Sequence, residues 1–177
     1  MGGLLRSADG GGTWESVSEG HYQNDDPVDM HSVLVSSHRP RHVSTISRIG
    51  LSRSADGGGH WSPGRIQMLS QRGTYCRVIR EDPHDSDTLY VGAGPEFRGS
   101  PGALFRSRDG GDSWNQVNMG LTLNSTLFGF AINTADPTQM YGATRHGQVV
   151  GSHDGGLTWQ DCSLPEGISE VNALAVG

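Results

Sequence analysis

Several features that usually organise a compact enzyme are scarce in this chain. Of its 177 residues only 33% are apolar and 7% aromatic, while 27 are glycine. Scattered glycines would give a loose chain, but these recur at turn positions, and the pattern reads as many short strands joined by many turns. There are two cysteines, Cys76 and Cys162, without C-x-x-C spacing. That leaves no zinc knuckle or redox pair, and two free buried thiols are expected. No Lys/Arg run is present and the formal net charge is −6, which argues against binding a phosphate backbone, so nucleic acid is not an expected partner. No apolar stretch reaches the ~18 residues of a membrane span. The N-terminal Met-Gly-Gly-Leu-Leu-Arg-Ser has no apolar run of signal length. As written, the chain reads as soluble, without a membrane partner and cytoplasmic. A Gly-x-Ser-x-Gly elbow and a Ser-His-Asp order are missing too, so serine-hydrolase chemistry has no support.

What the chain has is repetition. One eight-residue motif occurs four times: Ser7-Ala-Asp-Gly-Gly-Gly-Thr-Trp14, Ser54-Ala-Asp-Gly-Gly-Gly-His-Trp61, Ser107-Arg-Asp-Gly-Gly-Asp-Ser-Trp114 and Ser152-His-Asp-Gly-Gly-Leu-Thr-Trp159. The serines follow one another at 47, 53 and 45 residues, from Ser7 to Ser54, Ser107 and Ser152. That is the period of a four-stranded propeller blade and too long for a leucine-rich or ankyrin unit. Asp and Ser side chains accept hydrogen bonds from backbone N–H groups a few positions on, and the glycines supply positive φ, so each motif is a tight hairpin turn with its Trp packed beneath. Trp14, Trp61, Trp114 and Trp159 are expected in equivalent, largely buried positions.

The motif resembles the Asp-box, or bacterial neuraminidase repeat, S-x-D-x-G-x-x-W, found in sialidases, sortilin-type receptors, some glycanases and photosystem II assembly factors. The resemblance implies an all-β propeller of four-stranded antiparallel blades. It places the box on the outer turn between the third and fourth strands, away from the ligand site, so Asp9, Asp56, Asp109 and Asp154 read as structural.

Strands then fall into place by alternation and turn signals. Inner A strands are expected at 31–36, 75–80, 127–132 and 171–176, the first three running into Pro-bearing turns at Pro40, Pro83 and Pro137. B strands are expected at 43–47, 88–92 and 139–143, and C strands just before each motif. The single domain thus divides into strands C and D at 1–18, blades at 31–66, 75–118 and 127–163, and a closing A strand at 169–177. These are about four blades, and related propellers are usually larger. A homodimer supplying eight blades would cover the open sheet edges, and a truncated fragment is the other explanation.

Propeller topology gathers the D-to-A and B-to-C loops on one face, where ligands bind. The B-to-C loops carry Arg48, Arg98 and Arg145, planar donor forks suited to a carboxylate or phosphate; otherwise they are solvated loop residues, or salt-bridged to Glu96. Sialidases use an arginine cluster for their substrate carboxylate, but a Phe/Tyr-Arg-Ile-Pro segment and a clear Tyr/Glu pair are missing here. His146 sits beside the candidate arginines. The first D-to-A loop concentrates His21, Asn24, Asp25, Asp26, Asp29 and His31. Asn24, Asp25, Asp26 and Asp29 are candidate calcium ligands, although the spacing is not that of a calcium loop and a solvated acidic loop is the alternative. His21 and His31 are candidate general bases.

These features point to a propeller hydrolase, assisted by a divalent cation such as Ca2+, acting on an ester, lactone or glycosidic bond. His21, His31, Glu96, Arg98, Arg145 and His146 are its candidate catalytic residues, and the substrate is a small molecule or glycan, anionic or carbonyl-bearing. The alternative is a non-catalytic binding or assembly scaffold for an acidic partner.

Overall fold

The computed structural model describes residues 3–18, 29–162, 164–165 and 167–177. They form β-strands and turns with no helix. No helix among the described residues is long and apolar enough to cross a membrane. A two-stranded antiparallel sheet of β1 (Leu5–Arg6) and β2 (Glu15–Ser16) comes first. Three four-stranded sheets follow, each ordered as the chain runs. The second sheet holds β3 (Met30–Val35), β4 (Val43–Ser47), β5 (Gly50–Ser54) and β6 (Ser62–Pro63). The third holds β7 (Tyr75–Asp82), β8 (Asp85–Gly94), β9 (Ala103–Ser107) and β10 (Asn115–Gln116). The fourth holds β11 (Leu127–Ile132), β12 (Met140–Thr144), β13 (Val149–Ser152) and β14 (Gln160–Asp161). Every neighbouring pair is antiparallel. The inner strands β3, β7 and β11 lie next to one another in that order.

The sheets stack because their strands alternate between two apolar faces. In the third sheet Ile79, Val91 and Phe105 join Ile46 and Leu51 of the second sheet in one buried cluster. Their neighbours Val78, Tyr90 and Leu104 turn the other way and join Leu127, Phe130 and Val150 of the fourth in another. The period-2 alternation of β7, β8 and β9 therefore builds two seams from one sheet. Gly92 keeps that stacking close, since a Cβ there would lie 3.1 Å from both the side chain and the backbone carbonyl of Leu127 in the fourth sheet. The outer strands are two residues long and exposed, which blunts each sheet edge.

All four motifs close the same way. In the first, Gly11 N–H donates to Ser7 Oγ at 2.7 Å and Thr13 N–H to Asp9 Oδ1 at 2.8 Å. The other three repeat this set from Ser54, Ser107 and Ser152. The fourth and fifth motif positions adopt positive φ in every copy (72° and 96° at Gly10 and Gly11), which accounts for the unvarying Gly-Gly pair and the freedom of the position after it. These bonds stabilise the charged carboxylate. The Thr13 backbone N–H foremost holds Asp9 at about 2, and the hydroxyls of Ser113 and Thr158 foremost do the same for Asp109 and Asp154. Asp56 is lowered as well, chiefly by the His60 imidazole.

Three expectations need correction. Trp114 is 9% exposed, but Trp61 and Trp159 are half-buried and Trp14 is 62% exposed. Each motif Trp packs into the seam with the preceding sheet, and among the described residues no sheet precedes the first. The segment 169–177 forms no strand, and among the described residues the first sheet holds only β1 and β2. Of the two thiols, Cys76 is buried, but Cys162 is only half-buried at the outer edge.

Candidate ligand face

Each inner strand carries a β-bulge at the same place. The register slips between Met30 and Ser32 in β3, Cys76 and Val78 in β7, and Leu127 and Gly129 in β11. The extra residues are His31, Arg77 and Phe128, and a bulge re-aims the side chain it carries. All three line one cavity of about 190 Å³ along the inner strands, together with Asn172 and Leu174. The Arg77 guanidinium sits over the Phe128 ring, 4.9 Å from its centroid.

The bulge in β7 also orients the histidine. The bulge lies next to Cys76, and His31 Nδ1–H donates to the Cys76 carbonyl at 2.6 Å. A carbonyl only accepts, so Nδ1 carries a proton and Nε2 is the nitrogen facing Asp29 Oδ2, 3.5 Å away. The His31 side chain is 6% exposed and packs on Tyr75 at 4.6 Å between ring centroids. From Tyr75 the aromatic contacts continue edge-on to Phe97 (6.1 Å) and from Phe97 to Phe128 (5.4 Å). Burial pushes the Tyr75 phenol up from its ordinary value, with Arg77 pulling the other way. Beside this ladder opens a cleft of about 700 Å³ whose lining includes Arg48, Arg72, Tyr75, Glu96, Phe97 and Gln71.

The three loop arginines do not meet at one point. Arg48 lines the cleft, whereas Arg98 and Arg145 converge on Glu170, Arg98 Nη2 on Oε1 and Arg145 Nη2 on Oε2, each at 2.7 Å. Their carboxylate partner is thus Glu170, and not Glu96, which the sequence offered as one alternative. The Glu96 backbone carbonyl accepts from the Thr126 hydroxyl. His146 is exposed, and its backbone N–H donates to Ser125 Oγ at 2.8 Å. His21, Asn24, Asp25 and Asp26 lie outside the described residues. Among the described residues no group of three or more His, Cys, Asp and Glu stands together in a metal-binding arrangement.

Sequence reasoning missed Tyr75, Arg77, Phe97, Phe128, Glu170 and Asn172. A signal for two of them, Arg77 and Phe128, was present beside the candidate His31. His31, Arg77 and Phe128 occupy matching positions near the start of each inner strand, and read by repeat they mark one ring of the channel.

No protein-family model matches the chain, and no curated protein matches it. Solved structures do. An ancestral GH74 enzyme superposes with a TM-score of 0.76 at 20% identity, over 94% of this chain and 22% of that one. The GH74 xyloglucanase from Xanthomonas campestris gives 0.69 at 18%, over 90% and 27%. YCF48 from Cyanidioschyzon merolae gives 0.57 at 18%, over 75% and 39%. The chain spans about a quarter of the length of these GH74 enzymes. Together with the three four-stranded antiparallel sheets and their adjacent inner strands, these superpositions establish the fold as that of a β-propeller.

Proposed function

We propose that the loop face binds a glycan in the cleft beside Tyr75 and Phe97. The observation that carries this reading is the cleft's lining: aromatic faces adjoin Arg48, Arg72, Gln71 and Glu96 in a space of about 700 Å³. Aromatic faces pack against the C–H surface of a pyranose, while planar guanidinium, amide and carboxylate groups reach its hydroxyls. A cleft of this size with a few placed polar groups is the usual form of a small-ligand site. The likeness to a xyloglucanase supports a saccharide, and only as analogy. Calorimetric titration with a cello-oligosaccharide tests it. Phe97→Ala, at an exposed position, is expected to weaken binding about tenfold, the loss of one good stacking contact. Absence of saccharide binding by the wild-type chain would refute the reading.

One observation favours hydrolysis as a second reading. His31 is oriented through Nδ1, which leaves Nε2 as a candidate base beside Asp29. Calcium on Asn24, Asp25, Asp26 and Asp29 would serve the same chemistry by polarising the substrate oxygen. Turnover of ester, lactone and aryl-glycoside substrates with and without chelator tests this, with melting followed alongside. Turnover that survives His31→Asn would exclude His31 as the base. The expected homodimer is likewise a proposal, with the exposed Leu5 and Trp14 of the first sheet as the surface a second chain would cover. Light scattering that returns the 18.9 kDa monomer would rule it out.

A further inference from the structure

Arg98 and Arg145 reach the ligand face from the β8–β9 and β12–β13 loops, in two different sheets, and each takes one oxygen of the Glu170 carboxylate. Arg145 is built into the protein. Its side chain is 11% exposed, its guanidinium lies over the rings of Phe97 (5.6 Å) and Phe128 (5.4 Å), and Nη1 donates to Asn172 Oδ1. Its Nε is buried with no hydrogen-bond partner. A guanidinium held this way needs an anion, because a buried cation without one is costly.

The present occupant is held less firmly than the site. The Glu170 side chain is 40% exposed, and residues 171–177 make no ladder with any sheet. Leu174 rests over Gly129, where a Cβ would come within 2.8 Å of it, so the segment lies across β11 and along the channel cavity. Phe97 is shared between the two places: it lines the glycan cleft and it floors Arg98 and Arg145.

We propose that Glu170 is an intramolecular stand-in for a ligand carboxylate, and that residues 170–174 form a displaceable plug. A uronic-acid unit of a glycan seated in the cleft replaces Glu170 on Arg98 and Arg145. This inference rests on the glycan reading above. A tethered carboxylate competes at high effective concentration, so the apparent affinity for an acidic sugar is lowered by the fraction of molecules in which the plug is seated.

The test titrates trigalacturonate and its fully methyl-esterified form against wild type and Glu170→Gln. The Gln variant keeps the shape of the side chain and removes its charge. The acid trimer is expected to bind Glu170→Gln about tenfold more tightly than wild type, within the usual range of coupling between sites. The ester is expected to bind both equally. Adding Arg98→Gln, at a half-exposed arginine, is expected to abolish the gain. In the wild-type protein, the acid trimer is expected to speed amide exchange across 169–176 while the ester leaves it unchanged, which keeps the proposal testable should the variant fold poorly. No gain in Glu170→Gln, or an equal gain for the ester, would overturn the plug while the glycan reading stands on ester binding. Failure of both trimers to bind would overturn the plug proposal, and failure of the cello-oligosaccharide as well would overturn the glycan reading itself. An oligoglutamate peptide gaining affinity for Glu170→Gln where the sugar does not would overturn the saccharide identity of the ligand.

Discussion

Trp61 donates its indole N–H to the backbone carbonyl of Val17, 2.8 Å away in the preceding sheet. The bond belongs to a wider set of contacts by which the second and third motifs are clasped from behind. Arg6 reaches forward to the Gly57 carbonyl at 2.6 Å, and Arg53, at the matching position one repeat on, reaches Gly110 at 2.9 Å and the Asp112 carboxylate at 2.6 Å. The repeated turn is therefore a part of the joint between blades as well as a hairpin closure.

The four tryptophans, identical in sequence, should accordingly differ in weight. Truncating Trp114 to Ala is expected to cost about 3–5 kcal/mol, the scale for a buried aromatic. Trp61→Ala and Trp159→Ala, at half-buried sites, should cost less. Trp14→Ala should fall within about 0.5 kcal/mol of wild type, as surface substitutions do. Urea unfolding of the four variants gives the ranking, and a Trp14 effect equal to that of Trp114 would refute the joint.

Acid should loosen these turns in a narrow window. Asp9, Asp109 and Asp154 are held at about 2 in the folded chain, below their ordinary value of 3.8. A lowered folded value means that the unfolded chain binds more protons between those limits, so stability rises with pH there. The contribution is fully present above about 3.8 and is lost as pH falls through about 2. Unfolding free energies measured from pH 5 down to pH 2 should show this slope, and Asp109→Asn should flatten it. A slope unchanged in that variant would mean that Asp109 is not held low.

How much of this was legible in the sequence depended on what repetition carries. Ser7 to Trp14 and its three copies announced the turns, and the runs at 43–47 and 127–132 matched β4 and β11 because alternation and a Pro-bearing turn agree there. The ligand face was legible only by position. Arg98 and Arg145 could be placed on one rim from topology, but their partner Glu170 could not, since it belongs to the segment at 169–177, whose residues read as a closing A strand. The bulges hid Arg77 and Phe128 for a different reason. A bulge breaks the period of two on which strand reading rests, so the residues it aims into the channel look like errors in the pattern.

The two thiols should be chemically unlike. Burial pushes Cys76 up to about 12, which leaves almost no thiolate near neutral pH, whereas Cys162 is half-buried at the sheet edge. A disulfide-exchange reagent at pH 8 is expected to titrate one thiol in the native chain and two in denaturant. Cys162→Ser should abolish the native reaction, and a native count of two would contradict the packing of β7 against the second sheet.

His31 separates structure from chemistry in one position. Its Nδ1–H donates to the Cys76 carbonyl, next to the bulge at Arg77. His31→Leu fills much of the space but removes that hydrogen bond, a loss of about 0.5–1.5 kcal/mol. His31→Asn can return an amide N–H close to the place of Nδ1, and should recover much of the loss. The difference between the two in urea unfolding measures the hydrogen bond, and equal stabilities would show that it carries no weight. Asn has no counterpart of Nε2. A folded His31→Asn protein that still binds oligosaccharide but has lost a turnover present in wild type would therefore assign the base to that nitrogen, because the structural role of the ring has been preserved.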